Sequence, residues 1–197
     1  VQLDVDAIKN FIKGKRILIT GSGGSIGSEL LKQCLKFKPS EVICIDMAED
    51  KIFRIQSKFN SFNPQIVIKP ILANINNRSH LSKVFIDNKP QIVFHAAAYK
   101  HVPIQELHPW TAVETNIGGT KNLIELSDQH GVDKFVLVST DKAVNPANIM
   151  GATKRVAEKL IQSISQNSPT TFLAVRFGNV LGSSGSAVPT FQEQIRN

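Results

Sequence analysis

Short apolar runs recur along the chain, separated by polar stretches that contain glycine or proline. Six of these runs are rich in Val, Ile, Leu and Phe, and runs of this kind predict β-strands. The predicted strands are 16–20, 41–46, 65–72, 91–95, 134–138 and 170–175. The runs at 91–95 and 134–138 are apolar almost throughout, which is typical of strands covered on both faces in a parallel sheet. We therefore expect these two to be central strands.

Between the strands, apolar residues recur at the three- or four-residue spacing of a helix face. Val156, Leu160 and Ile164 form one such stripe. The predicted helices are 26–35, 51–59, 78–87, 110–130, 147–166 and 189–196. The regular alternation of strand and helix predicts an α/β fold with a doubly wound parallel sheet of the Rossmann type. Such a sheet binds ligands at the carboxyl ends of its strands.

Length and composition fit one soluble domain. The chain has 197 residues, of which 42% are hydrophobic, enough to bury a sizeable core, so we expect a single domain over 1–197. No stretch approaches the ~18 apolar residues of a membrane span, and no signal peptide is visible. A cytoplasmic location follows as an expectation. Val1 in place of an initiator methionine indicates a piece of a longer protein, whose other parts could still be membrane-anchored.

Charge and the cysteine and histidine content exclude some classes of site. The net charge of +7 is compatible with anionic partners, but the basic residues are scattered without a base-stacking motif, so we expect no nucleic-acid binding. Cys34 and Cys44 lie in apolar helix and strand patterns and are expected to be buried thiols. The five histidines form no HExxH motif and no cluster with cysteine, so we expect no metal site.

A glycine-rich turn joins the first predicted strand to the first predicted helix. Gly21, Gly24 and Gly27 follow Thr20 in the spacing TGxxGxxG. Such a turn lets backbone N–H groups approach a pyrophosphate at a helix N-terminus. A turn that is only tightly packed would have the same spacing, so the motif alone is weak. The predicted phosphate contacts are Gly21, Gly23, Gly24, Ser25, Ile26 and Gly27.

Asp46 ends the second predicted strand, about twenty residues further on, where a carboxylate accepts hydrogen bonds from both ribose hydroxyls. This position favours NAD as the cofactor. NADP is less expected because Asp46 would repel a 2′-phosphate, although Lys51 or Arg54 could soften the repulsion. Asn74, followed by Ile75, is a candidate for contact with the adenine, and Asn74 could equally be a turn residue.

Five segments occur in this order along the chain: 20–27, HAAAYKHVP at 95–103, TNIGGT at 115–120, STDK at 139–142 and MGATK at 150–154. Together they resemble the extended short-chain dehydrogenase/reductases, and within them the UDP-sugar 4,6-dehydratases of polysaccharide biosynthesis. The resemblance covers nearly the whole chain. It implies that a substrate-binding region follows Asn197 and is largely missing here, and that the helices around 110–130 and 147–166 pair with a second subunit in a homodimer.

The resemblance also implies the chemistry. A 4,6-dehydratase oxidises C4 of a UDP-sugar, here UDP-N-acetylglucosamine (UDP-GlcNAc), with bound NAD, eliminates water across C5 and C6, and returns the hydride to C6. Asp141 would protonate the leaving C6 hydroxyl, Lys142 would take the C5 proton, and Thr140 would bond the C4 oxygen. Lys142 must then be neutral and Asp141 protonated, which we expect to be the minority form of a coupled pair.

Met150 departs from the wider superfamily, most of whose members have the tyrosine of a YxxxK motif there. The subgroup with membrane-anchored members resembles this sequence in having methionine. Methionine cannot take a proton, so removal of the C4 hydroxyl proton is left to Asp141, Thr140 through a water, or Lys154. Lys154 lies one helical turn after Met150 and is expected to point toward the nicotinamide ribose.

The remaining predicted contacts lie in loops and one helix. Asn116 is expected to shape the nicotinamide pocket or to be purely structural. The resemblance further assigns Ala96, Ala97 and Ala98 to the cofactor, and Lys100, His101, Asn179 and Ser183 to the substrate, with ordinary loop polarity as the alternative. Two other functions stay open: a UDP-sugar C4 epimerase, and a dinucleotide-binding module that is catalytically incomplete.

Overall fold

The computed structural model describes residues 4–59, 66–178 and 180. Their strands form one parallel sheet with the order β3-β2-β1-β4-β5-β6. The strands are β1 (Arg16–Thr20), β2 (Glu41–Asp46), β3 (Val67–Leu72), β4 (Ile92–His95), β5 (Lys134–Thr140) and β6 (Thr171–Phe177). The order reverses between β1 and β4, as in a doubly wound sheet. The predicted fold class is confirmed.

Helices connect the strands and cover both faces of the sheet. They are α1 (Val5–Ile12), α2 (Ser25–Lys36), α3 (Glu49–Phe59), α4 (Arg78–Asn88), α5 (Val102–Leu107), α6 (Pro109–Ala112), α7 (Thr120–Gln129) and α8 (Ile149–Ile164). A π-helical segment, Val113–Gly119, joins α6 to α7, and a 3₁₀ turn, Asp141–Ala143, follows β5. The helix predicted at 189–196 lies outside the described residues.

Two hydrophobic clusters lie on opposite faces of the sheet. Leu18 of β1 belongs to one cluster, with side chains of α4, α7 and α8, whereas Ile17 and Ile19 belong to the other, with α1, α2 and α3. Side chains alternate across a strand, so a strand covered on both faces must be apolar at every position. This accounts for the continuous apolar runs. Cys34 and Cys44 are buried in the second cluster, where desolvation raises the pKa of each thiol to about 12.

The outer strands differ most from the prediction. β6 continues to Phe177, two residues past the predicted end, because it pairs with β5 as far as Thr140. The prediction that 91–95 and 134–138 are central holds for β4, which lies beside β1 in the middle of the sheet. β5 is an interior strand, but its residues alternate between buried and half-buried, so one of its faces is only partly covered by the described residues.

No helix within the described ranges has the length and apolar character needed to cross a membrane.

Candidate active site

The glycine turn lies against the loop that follows β4. Gly21 has φ +65°, and a Cβ built there would lie 2.7 Å from the backbone nitrogen of Ala97. Both the left-handed conformation and the close backbone approach therefore require glycine. Helix α2 begins at Ser25 with Gly24 as its N-cap, and no side chain caps it. The start of this helix, at the edge of the sheet, carries the partial positive charge that attracts anions.

Asp46 holds this turn in place and also lines the cavity described below. Asp46 is only 7% exposed to solvent. One carboxylate oxygen accepts a hydrogen bond from the Gly23 N–H at 3.0 Å, and the other accepts one from the Ala48 N–H at 3.1 Å. Each oxygen keeps a second lone pair for a ribose hydroxyl. The sequence prediction missed the bond to Gly23.

A cavity of about 640 Å³ opens along the carboxyl ends of the strands. It brings together most of the predicted site residues, which lie at the carboxyl ends of five of the six strands or in the loops and helices that follow them. Those that line it are Gly21, Gly23, Gly24, Ser25, Ile26, Gly27, Asp46, Ile75, Ala96, Ala97, Ala98, Lys100, His101, Thr140, Lys142 and Lys154. Asn74, Asn116 and Asp141 are described but are not among the lining residues. Asn179 and Ser183 lie outside the described residues.

Asn74 takes the position of a turn residue. Its side chain is exposed, and its Oδ1 accepts a hydrogen bond from the N–H of Asn76 at 2.9 Å. This is an Asx turn, in which the side chain imitates a backbone hydrogen bond. The geometry favours the turn-residue interpretation that the sequence left open, while the neighbouring Ile75 lines the cavity.

Asn116 is fully buried in the π-helical segment and joins two walls of the site. Its Oδ1 accepts a hydrogen bond from the Tyr99 N–H at 2.9 Å, and its Nδ2 donates to the Tyr99 carbonyl at 3.0 Å. The same Nδ2 lies 3.0 Å from Thr153 Oγ1 on α8. Asn116 therefore positions the loop after β4 against α8 rather than lining the cavity itself.

His95 was not predicted as a site residue, yet it lies at the centre of a buried hydrogen-bond chain. Its Nδ1 is 2.7 Å from Thr20 Oγ1, and its Nε2 is 2.8 Å from Thr120 Oγ1. Because the Thr120 hydroxyl donates to the Asn116 carbonyl at 2.7 Å, it accepts from Nε2–H. Nδ1 is then the acceptor for the Thr20 hydroxyl. Burial, with a smaller effect from Lys154, lowers the pKa of His95 to about 3, so the ring is neutral.

At the end of β5, Asp141 forms an ion pair with Lys142 and also accepts a hydrogen bond from Thr140. Asp141 Oδ1 accepts hydrogen bonds from the Thr140 hydroxyl at 2.8 Å and from Lys142 Nζ at 3.2 Å. These bonds, from Thr140 first and then Lys142, lower the pKa of Asp141 below its ordinary value. Asp141 is thus a carboxylate in this geometry, and a protonated Asp141 is the minority form. Both charged side chains remain partly exposed to solvent.

Lys154 lies deep in the same cavity, on the face of α8 that also carries Met150. It is 5% exposed, and desolvation lowers its pKa to about 8, although Glu158 acts in the opposite direction. Gly151 lets α8 approach the 3₁₀ turn closely, since a Cβ there would lie 2.5 Å from the Lys142 carbonyl oxygen. This contact brings the Lys142 and Lys154 segments to one side of the cavity.

Among residues 4–59, 66–178 and 180, no group of three or more His, Cys, Asp or Glu side chains is arranged to hold a metal ion.

Comparison with known proteins identifies the family. A family model described as polysaccharide biosynthesis protein matches residues 17–197. The chain belongs to this family. Its resemblance to the extended short-chain dehydrogenase/reductases, drawn above from five segments of sequence, is confirmed.

Relatives in the family extend well beyond this chain. The capsular polysaccharide biosynthesis protein CapD of Staphylococcus aureus is 47% identical over 100% of the chain, which spans 33% of that protein. A UDP-N-acetylglucosamine 4,6-dehydratase (inverting) of Campylobacter jejuni is 40% identical over 92% of the chain and 54% of that protein. A UDP-glucose 4-epimerase of Rickettsia bellii is 37% identical over 92% of the chain, again 54% of that protein. The chain thus spans a third to about half of these relatives.

Solved structures agree with the fold. The X-ray structure of Pen from Bacillus thuringiensis has a TM-score of 0.86 at 39% identity, over 95% of this chain and 57% of that one. The Bordetella bronchiseptica enzyme WbmH in complex with NAD⁺ has a TM-score of 0.74 at 19% identity, over 92% of this chain and 62% of that one. At that identity the second likeness shows the fold alone.

Proposed function

We propose that this chain supplies the NAD-binding and acid/base part of a UDP-sugar 4,6-dehydratase acting on UDP-GlcNAc. The observation that carries the proposal is the cavity in which the glycine turn, Lys142 and Lys154 meet, with the Asp141 carboxylate bonded to Lys142. The 40% identical dehydratase of C. jejuni supports the same reaction. We also propose that residues 1–197 form one domain and that it works in the cytoplasm.

The residues around the turn fit NAD. The turn packs against the Ala97 backbone so closely at Gly21 that no side chain fits there, and α2, which starts just after it without a side-chain cap, attracts the charge of a pyrophosphate. Asp46 offers two oxygens for the ribose hydroxyls and would repel a 2′-phosphate. Arg54 is exposed and paired with Asp50, so it does little to offset that repulsion. When bound, NAD would accept the hydride from C4 and return it to C6.

The ion pair explains how two proton transfers balance. In the elimination, neutral Lys142 takes the proton from C5 while protonated Asp141 gives its proton to the leaving C6 hydroxyl, which departs as water. The products are an ammonium and a carboxylate, which is the pair that the structure holds at 3.2 Å. Return of one proton from Lys142 to Asp141 across this distance restores the active form. The ion pair is therefore the resting state, and the reactive form is a minor population.

Lys154 is the group we favour for taking the C4 hydroxyl proton in place of the missing tyrosine. General bases work best when their pKa lies near the working pH. Burial lowers the pKa of Lys154 to about 8, so a large share of it is neutral in mildly alkaline solution, whereas Asp141 is held in an ion pair. Met150, beside it in the cavity, supplies only apolar contact.

A C4 epimerase is the second candidate, because the R. bellii relative carries that name. Epimerisation returns the hydride to C4 and removes no proton from C5, so it has no use for the Asp141–Lys142 pair. The pair therefore favours the dehydratase. A dinucleotide-binding module without activity is the third candidate.

Incubation of the intact protein with UDP-GlcNAc in deuterated water distinguishes the three. We expect NMR to show a 4-keto-6-deoxy sugar with deuterium at C5, and no C5 exchange with Lys142→Ala. A product that keeps its C6 hydroxyl and differs only at C4 would indicate an epimerase. Bound NAD with no turnover would indicate the binding module.

A homodimer is the assembly we propose. Large apolar side chains of α5 and α6 point away from the core, with Leu107 77% and Trp110 79% exposed, and Val156 of α8 is also exposed. Exposed apolar residues grouped on neighbouring helices are typical of protein interfaces. Sedimentation of the wild type against Trp110→Glu tests this: the wild type should sediment as a dimer and the variant as a monomer.

A further inference from the structure

Glu158 is a buried carboxylate that accepts hydrogen bonds from two strands and from its own helix. It lies one turn after Lys154 on α8 and is only 3% exposed. Arg176 of β6 forms a bidentate ion pair with Glu158, in which Nε donates to Oε1 at 2.8 Å and Nη2 donates to Oε2 at 2.7 Å. The Ser139 hydroxyl of β5 donates to Oε1 at 2.6 Å, and Arg155 donates to Oε2 at 3.2 Å. We call these four residues the Glu158 hub.

The hub neutralises the buried charge and fixes its geometry. A planar guanidinium matches both oxygens of a carboxylate and so restricts its orientation. The hydrogen bonds from Arg176, followed by those from Ser139 and Arg155, lower the pKa of Glu158 to about 2 despite its burial. The carboxylate is therefore charged at every pH at which the protein works, and its contacts do not switch.

Each strand contact lies next to a part of the candidate active site. Ser139 immediately precedes Thr140, and it is the register partner of Arg176 across the β5–β6 pair. Arg176 immediately precedes Phe177 and Gly178, which line the cavity. The hub therefore ties together the end of β5, the end of β6 and the segment of α8 that carries Lys154.

We propose that Glu158 is a positioning residue that sets the distance between Lys154 and the Asp141–Lys142 pair, and with it the rate of the reaction. This rests on the proposed function. Glu158 does not line the cavity itself, so it acts through Ser139, which does, and through Arg176 and its own helix. Displacement of a catalytic group by about 1 Å costs on the order of a hundredfold in rate. Loss of the hub should therefore lower kcat far more than it changes substrate binding.

The test compares Glu158→Gln with Glu41→Gln in the intact protein. Glu41 is also a buried, ion-paired glutamate, bound to Lys69, but it begins β2 at the opposite end of the sheet from the cavity. We expect Glu158→Gln to lower kcat by at least about tenfold, with KM for UDP-GlcNAc and Kd for NAD within a few-fold of wild type. Glu41→Gln should keep the wild-type kcat even if it unfolds at a lower temperature.

A second readout follows the titration of Lys154, which responds to the charges of Glu158 and Arg176 and not to a general loss of stability. The charged or titratable groups near Lys154 include Glu158 on its own helix, His95 on β4, which is neutral, and Lys142 in the 3₁₀ turn, and Arg176 of β6 is bound to Glu158. Lysine ¹³C NMR of the NAD-free protein should show the pKa of Lys154 falling in Glu158→Gln, because the favourable negative charge is gone. It should rise in Arg176→Gln, which leaves that charge unneutralised, although this variant also lowers kcat.

These outcomes separate the two claims. The positioning role of Glu158 is overturned if the wild type is active and both Glu158→Gln and Arg176→Gln keep kcat within twofold. It is also overturned if these variants leave the Lys154 titration unchanged. If Glu158→Gln does not fold, Arg176→Gln decides alone. A wild type that makes no 4-keto sugar overturns the proposed function instead, and the opposite shifts of the Lys154 titration then decide whether the hub holds.

Discussion

Replacement of Lys154 by methionine should stabilise the NAD-free protein while abolishing its activity. The side chain is buried, and desolvation lowers its pKa from the ordinary 10.5 to about 8. That difference corresponds to about 3 kcal/mol by which folding disfavours the charged form. Methionine has a similar length and no charge, so Lys154→Met should recover most of that free energy at pH 7. Stability and function would thus conflict at this position.

The sign of the pH dependence follows from linkage. Below about pH 8, Lys154 is charged in both the folded and the unfolded protein, so the full free-energy cost of burying its charge is present. Between about 8 and 10.5 the unfolded chain binds the proton more tightly than the folded one, so the wild type gains stability relative to the variant as pH rises. Above about pH 10.5 Lys154 is neutral in both states, and this free-energy cost is absent. The advantage of Lys154→Met should therefore be greatest at neutral pH and shrink in alkaline solution.

Urea unfolding at several pH values measures this difference. Lys159→Met is the matched control, since it makes the same change at an exposed position on the same helix, and it should alter stability little at any pH. A Lys154→Met variant that is less stable than wild type at pH 7, or whose difference from wild type does not change with pH, would refute the assignment of a desolvated ammonium.

Three further substitutions, the first with a control variant, test other parts of the site. Gly21→Ala should weaken NAD binding by at least about tenfold because its Cβ meets backbone. Gly14→Ala is the control. Gly14 also has a positive φ, +70°, but a Cβ there meets no atom within 4 Å. This variant therefore has the backbone strain without the clash, and its NAD affinity, measured by calorimetry, should equal that of the wild type. Asp46→Asn should shift the measured preference from NAD toward NADP, because the repulsion of a 2′-phosphate is lost. His95 is neutral in the folded protein, with its pKa lowered to about 3. The free energy of unfolding of the wild type should therefore fall as the pH drops below about 6.5, where the unfolded chain binds a proton. Urea unfolding should show a shallower fall for His95→Gln.

The strands were predictable because the sheet is covered on both faces. Leu18 packs on one side while Ile17 and Ile19 pack on the other, so the sequence shows an uninterrupted apolar run. The end of β6 was missed since Arg176 is polar and interrupts the apolar run, whereas the strand continues through it because it pairs with β5. Helix α1 was also missed, although Asp4 caps it by accepting from the Ala7 N–H at 2.9 Å.

The site was predictable where a single turn or strand end carries the chemistry. Gly21, Asp46 and Lys154 converge because the carboxyl ends of parallel strands share one edge of the sheet. His95 and Glu158 were missed because their partners lie far away in sequence: Thr20 is 75 residues from His95. A lone buried polar residue has no periodic signature, and only the fold shows what it contacts. The roles assigned to the individual site residues stay predictions.

The most direct measurement of the central claim follows a hydride through the reaction. UDP-GlcNAc that carries deuterium at C4 and ¹³C throughout its sugar ring is mixed with unlabelled UDP-GlcNAc and the intact protein, and the products are analysed by NMR and mass spectrometry. If the cofactor is reduced and reoxidised within one cycle, the deuterium should appear at C6 of the same molecule that lost it from C4, with no crossover. Deuterium that stays at C4 in an epimerised sugar, or that leaves as free reduced cofactor, would contradict the account.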